Sequence, residues 1–293
     1  MNAIECSHVT RNYGSQKALE DFSLSLPPGS IYGFLGRNAS GKTTLIRMLI
    51  GLMWPDQGEI QVLGKNPRDF SVEDRQKIGY LSEKQILPPA LKIGQLVDFC
   101  RPLYPKWDDS LIQRLSDRFS LDPKKKIKEL SNGQQRQVGF MLALAPKPDL
   151  LILDEPASTL DVVARREFLD EILELIREEN RTVLFSTHIL SDVERIADRV
   201  GILKEGKLVI NESLDSLKEN VKQIRFTSRD GSAPKIELPN TYRTKRDRQE
   251  LLITARVDHP DQIQSIATNA GCNYEILSLN LEDLFVEISS KNI

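Results

Sequence analysis

Between residues 2 and 35 apolar and polar positions alternate, the period of half-buried strands, with a turn at Gly14-Ser15. Pro27-Pro28-Gly29 turns the chain into the apolar run Ile31-Tyr32-Gly33-Phe34-Leu35, which ends at Gly36. Thr44 to Ile50 then predicts a helix stopping near Gly51, and a further strand ends in Ile78-Gly79-Tyr80-Leu81. Residues 84 to 145 read mostly as helix, with apolar residues at helical spacing over Gly94–Leu103 and Ser110–Phe119. Leu150-Leu151-Ile152-Leu153 is a short continuous apolar run, as a parallel strand buried on both faces requires. A helix follows from about Val162 to Glu178, on Phe168, Leu169, Ile172, Leu175 and Ile176. The next buried strand is Thr182–Ser186, and one helix and two short strands lead to about Ile210. From residue 222 the pattern is strand, strand, strand, helix, strand, helix, with turns at Gly231-Ser232-Ala233-Pro234 and Pro239-Asn240. The pattern therefore predicts a large α/β domain over 1–219 and a small α+β module over 220–293.

Composition narrows the class. Charged residues make up 28 % of the 293, yet the net charge is −2, so no basic face for nucleic acid is implied. The runs Lys124-Lys125-Lys126 and Arg243–Arg248 read as solvated loops. Cys6, Cys100 and Cys272 are odd in number and scattered, the usage of reduced thiols in a cytoplasmic protein. Glu5 and His8 interrupt any secretory signal, and no apolar run nears the ~20 residues that span a bilayer. Any work on a membrane is expected to use another chain.

The chemistry starts at Gly36-Arg37-Asn38-Ala39-Ser40-Gly41-Lys42-Thr43, a phosphate-binding loop set between a strand and a helix. Gly36 and Gly41 let successive amides point inward as an anion nest, above the positive end of a helix that opens at Thr44. Lys42 is placed to reach the β- and γ-phosphates, and the Thr43 hydroxyl to bind Mg²⁺, a hard cation that prefers oxygen. Asp154-Glu155 follows the strand at 150–153, where ligands of open α/β sheets sit. The expected division of labour puts Asp154 on Mg²⁺ and makes Glu155 the general base for an attacking water. His188 ends the next buried strand, in reach of a γ-phosphate, while Tyr13 in its strand reads on its own as a packing residue.

With Leu130-Ser131-Asn132-Gly133-Gln134 added to these, residues 1 to 219 resemble the ATP-binding cassette family, specifically the nucleotide-binding subunits of ABC transporters. A phosphate loop alone occurs in many enzymes; the signature at Leu130–Gln134, upstream of Leu150–Asp154, is the diagnostic element. The resemblance implies a P-loop (RecA-like) α/β core, an antiparallel β subdomain and a helical signature subdomain at about 84–145. It implies nucleotide contacts at Tyr13 and Gly36 through Thr44, and Mg²⁺ ligands Thr43, Asp154 and the Q-loop residue Glu83. Glu155 and the switch His188 become the catalytic pair, and Asp161 belongs to a D-loop at Ser158–Asp161. Two cassettes pair head to tail, each ATP lying between one phosphate loop and the partner's Ser131, Asn132, Gly133 and Gln134. Ser131 and the backbone at Asn132-Gly133 would open a helix over Gln134–Ala145 that presents amides and a positive dipole end to that phosphate. A homodimer supplies both half-sites; a heterodimer with a related chain is the alternative.

Asn132 stands where the family usually has glycine, Val162 where proline is common, and Glu83 where glutamine is usual. Glutamate at that position, the phrase Ser278–Phe285 and the segment Tyr104–Asp108 resemble a bacterial ABC-2-type exporter branch. The implied partner is a multi-span permease docking after Glu83, at about 84–105 with Leu87–Leu91 in its groove, on the cytoplasmic face of the membrane. A soluble cassette ATPase uncoupled from transport is the competing reading, though sustained heptads and a second phosphate loop are absent. A protein that binds ATP without hydrolysis is a third, opposed by Asp154, Glu155 and His188. The tail at 220–293 is expected to aid dimer contacts or regulation, or simply to pack.

Overall fold

The computed structural model describes the chain apart from Gln85, Thr159, Asn180 and residues 229–232, 258–260 and 290–293. Three apolar runs become wholly buried strands, and they set the frame. In chain order the elements begin β1 (Ile4–Tyr13), β2 (Gln16–Leu26), β3 (Ile31–Gly36), α1 (Lys42–Leu49), β4 (Gln57–Val62), α2 (Val72–Gln76) and β5 (Ile78–Leu81). Helices α3 (Ile93–Cys100), α4 (Asp109–Arg118) and α5 (Asn132–Leu144) follow, then β6 (Leu150–Asp154), α6 (Val162–Glu179), β7 (Thr182–Thr187) and α7 (Leu190–Ile196). The rest is β8 (Arg199–Lys204), β9 (Lys207–Ser213), α8 (Leu214–Asn220), β10 (Val221–Ser228), β11 (Thr241–Arg246), β12 (Glu250–Arg256), α9 (Asp261–Asn269), β13 (Cys272–Leu277) and α10 (Leu281–Ser289).

The central sheet runs β5-β6-β7-β3-β8-β9. Its pairs β5–β6, β6–β7, β7–β3 and β3–β8 are parallel. Every residue of β3, β6 and β7 is buried, which is why these three lack polar alternation. Register sets Asp154 opposite Ser186 and Leu35 opposite Thr187. The carboxyl ends of β3, β6 and β7 therefore deliver Gly36, Asp154-Glu155 and Thr187-His188 to one edge. A separate antiparallel sheet, β2-β1-β4, alternates buried and exposed positions along the second half of β2.

Helices α3, α4 and α5 form the helical region. Phe140 on α5 meets Phe168 on α6 edge to face, centroids 4.8 Å apart. Residues 86–92, expected to be helical, are irregular. Pro88 and Pro89 supply no N–H; the Pro88 carbonyl closes a single turn onto Leu91, and that of Pro89 accepts from Lys128 far along the chain. Ile86 there is 89 % exposed. Among the described residues no helix is long and apolar enough to cross a membrane.

The chain divides into compact units at Met1–Asn211 and Glu212–Ile293, upstream of the 219/220 boundary expected from sequence. The reason is local: α8 packs on β10, Val257 N–H donates to Asn220 O at 2.7 Å, and Arg256 Nη1 grips both oxygens of Glu212 at 2.8 Å. The second unit is a four-stranded antiparallel sheet, β11-β12-β10-β13, with α8, α9 and α10. Its core is built on Ile224, Phe226, Leu251 and Ile253.

Candidate functional site

The loop from Gly36 to Lys42 is bent by its own sequence. Gly41 sits at φ +111°, and a Cβ there would run into the Ala18 carbonyl oxygen, so only glycine fits. Ala39 also takes a left-handed φ of +64°, and Ser40 N–H closes the turn onto Arg37 O at 3.1 Å. Arg37, Asn38 and Ala39 are exposed, whereas Ser40, Gly41 and Lys42 are buried and Thr43 and Thr44 half-buried. The Ser40 hydroxyl is buried without a hydrogen-bond partner. Lys42 Nζ donates to Gly36 O at 2.6 Å and Arg37 O at 3.4 Å, and lies 3.6 Å from Glu155 Oε1. Burial pushes its pKa down, against the pull of the Glu155 and Asp154 charges.

Asp154 is 1 % exposed. Its Oδ1 accepts from the Ser186 hydroxyl at 2.5 Å, while Oδ2 is buried with no hydrogen-bond partner. Burial raises its pKa, and the hydrogen bond from the Ser186 hydroxyl opposes the rise. Glu155 is pinned at both backbone and side chain. Its N–H donates to Ser186 Oγ and Ser186 O at 3.0 and 3.1 Å, its φ is +50°, and its Oε2 lies 2.8 Å from His188 Nδ1. A non-glycine residue at that φ is strained, and in this conformation the carboxylate faces Lys42 and His188. His188 is half exposed, so its other ring nitrogen can meet a ligand.

Glu155 and His188 line one cleft of about 560 Å³ with Tyr13, Asn38–Thr44, Glu83 and Ser158, whereas Asp154 and Ser186 are not part of its lining. Tyr13 is 44 % exposed at its mouth, its hydroxyl donates to Met53 Sδ at 3.1 Å, and Arg11 lies over its ring. Glu83 presents an exposed side chain to the cleft. Gly36 and Arg37 contribute the carbonyls that hold Lys42 rather than lining the cleft.

Ser131, Asn132, Gly133 and Gln134 do not line this cleft. They open α5: Ser131 Oγ accepts from Gln134 N–H and Gln134 Oε1 accepts from Ser131 N–H, each at 3.2 Å. Ser131→Ala removes that cap, and denaturant unfolding should show a loss of about 1 kcal/mol. Asp161 caps α6, its Oδ1 accepting from the Val163 and Ala164 amides at 3.0 Å. Thr159 of the same loop lies outside the described residues.

Sequence reasoning passed over two residues. Ser186 bonds both Asp154 and Glu155, a role hidden inside an apolar strand. Arg136 is 2 % exposed and gives its guanidinium to the carbonyls of Glu83, Asp154, Glu155 and Pro156. The signal for it was present, since Arg136 falls on the same helical face as Phe140, Ala143 and Leu144.

The family model described as ABC transporter matches residues 19–158. The chain is 33 % identical to the ABC transporter ATP-binding protein YtrB of Bacillus subtilis, over 76 % of each chain. It is 36 % identical to the bacitracin transport ATP-binding protein BcrA of Bacillus licheniformis, over 76 % of this chain and 74 % of the relative. Among solved structures, the ATP-binding subunit of an ABC transporter superposes with a TM-score of 0.67 at 27 % identity, over 74 % of this chain and 92 % of that one. A dimeric bacterial ABC transporter cassette superposes at 0.66 and 24 % identity, over 72 % and 98 %, and speaks to the fold.

Proposed function

The chain belongs to the ATP-binding subunits of ABC transporters, and from that premise we propose that it hydrolyses ATP to drive export through a separate membrane-spanning subunit. The observation that carries the chemistry is the Glu155 carboxylate, buried between His188 Nδ1 at 2.8 Å and Lys42 Nζ at 3.6 Å. In this reading the amides of Asn38–Thr44 bind the phosphates, Lys42 moves from its own loop carbonyls to phosphate oxygens, and Tyr13 stacks on the base. Glu155 takes the proton of the attacking water, and His188 orients that carboxylate and donates to the γ-phosphate.

The donor set fits Mg²⁺. Asp154 Oδ2 is an oxygen buried without a partner, and Thr43 and Glu83 bring further hard ligands beside the phosphate loop. Bound there, the ion would neutralise charge on the β- and γ-phosphates. Ser186 keeps Asp154 oriented by holding Oδ1, which leaves Oδ2 toward such an ion.

Head-to-tail pairing with a second cassette would bring Ser131–Gln134 onto the partner's ATP, with α5 aiming its positive end at the γ-phosphate. One related structure is a dimeric cassette, which supports pairing without deciding between like and unlike chains. Export is supported by relatives named for bacitracin and lantibiotic transport. The permease partner, the cytoplasmic face of the membrane and an accessory role for residues 220–293 belong to the same proposal.

The test is phosphate release by the purified chain over a Mg²⁺ titration. We expect turnover that EDTA abolishes and Mg²⁺ restores, with Asp154→Asn needing at least about tenfold more metal. Turnover unchanged in EDTA, or no turnover by the chain with its co-expressed permease, would refute the reading.

A further inference from the structure

Arg136 takes no part in the chemistry above, yet among the described residues it is a buried cation with four hydrogen bonds to the main chain around the site. It sits in the second turn of α5, 2 % exposed. Nε donates to Pro156 O at 2.7 Å, Nη1 to Glu83 O at 2.6 Å, and Nη2 to Asp154 O at 2.7 Å and to Glu155 O. Among the described residues no carboxylate oxygen takes part. Asp154, Glu155 and Glu83 reach it only through space, and burial lowers its pKa while the guanidinium stays charged.

A buried cation ligated by carbonyls dictates where the main chain points, because each C=O must face the same planar fork. Three of the carbonyls come from consecutive residues, 154–156, at the point where the chain leaves β6 and Glu155 takes its φ of +50°. The fourth comes from Glu83, in the loop after β5. The guanidinium itself rides on the helix that Ser131 opens. Three segments distant in sequence thus meet at one side chain.

We propose that Arg136 is a positioning residue: it holds the Glu155 main chain in its left-handed conformation and makes that hold depend on the seating of both the Glu83 loop and the first turns of α5. The proposal rests on Glu155 being the general base. Shifting the Glu83 loop or α5 removes at least one carbonyl from the fork, and the strained peptide at Glu155 is then free to relax. Lysine cannot substitute, since an ammonium offers three donors from a point and no planar fork.

Arg136→Lys and Arg136→Gln in the full chain test this. Expected is a fall in kcat of about 10²-fold, the cost of a misplaced reacting group, with the affinity for a fluorescent ATP analogue within about threefold of wild type. In the double variant Arg136→Lys/Glu155→Gln the residual rate should equal that of Glu155→Gln alone, since one acts through the other. Amide exchange should quicken at Glu155 and Ser158 in Arg136→Lys, a readout that needs no turnover. Unchanged kcat, parallel loss of nucleotide affinity, multiplied losses in the double variant or unchanged exchange overturns the proposal. So does failure of both variants to fold, which would make Arg136 a folding element. A wild-type chain without ATPase activity refutes the function instead, and the exchange experiment still decides the role of Arg136.

Discussion

Glu155→Gln should lower kcat for ATP hydrolysis by about 10²–10⁴-fold, the range for removal of a general base. The substitution keeps shape and removes charge. Glutamine can still meet His188, so the cleft keeps its geometry, but the amide cannot take a proton from water. Its second consequence lies at Lys42, whose charged form the Glu155 carboxylate supports across 3.6 Å. Bound phosphate supplies that support in its place, so ATP affinity should hold or tighten. Phosphate release in a single turnover, measured beside equilibrium binding, separates the two effects. Hydrolysis at the wild-type rate would remove Glu155 from its role and leave the cluster as a structural ion pair.

Lys42→Ala should act on the other step. The ammonium is buried, 7 % exposed, and held by Gly36 O and Arg37 O at the base of the loop. A hydrogen bond from a charged donor contributes about 1.5–3 kcal/mol. Its loss weakens ATP about 10–150-fold, at 1.4 kcal/mol per decade. A further cost adds to this: without the Lys42 charge, the Asp154 and Glu155 carboxylates are left to repel the γ-phosphate. The dissociation constant, by calorimetry, should therefore rise by roughly 10²-fold or more. An affinity within threefold of wild type would mean that the backbone amides alone bind the phosphates.

The two variants divide the site along a line that the chain itself draws. Lys42 stands at the start of α1, where a local run of glycines and amides forms the anion cradle. Glu155 stands where β6 ends, and its place is fixed by Ser186 from β7, His188 beyond it and Arg136 from α5. On the proposed function, binding is thus built mostly by neighbours in sequence, and hydrolysis by neighbours in space.

The same line separates what was legible from what was not. The phosphate loop, the acids after Leu150–Leu153 and the cap at Ser131 are encoded by adjacent residues whose local physics allows few conformations, so their pattern sufficed. The buried strands were equally plain, because a strand covered on both faces must be apolar throughout. The mostly helical reading of 84–145 does not extend to 86–92, where two prolines and bonds to residues 127 and 128 hold the chain irregular. The sequence pattern also misplaced the boundary between the units, since Glu212 is claimed by Arg256 far along the chain.

By itself the sequence determined a nucleotide-binding α/β cassette, its phosphate loop and its acidic pair. Only the tertiary structure decided that Asp154 keeps one buried oxygen free of protein donors, that Glu155 is held at a positive φ, and that Arg136 binds the Glu83 loop, β6 and α5 at one point. The physical reason is that these facts concern main-chain carbonyls and buried lone pairs. They carry no residue-type signature and acquire partners only once distant segments pack together.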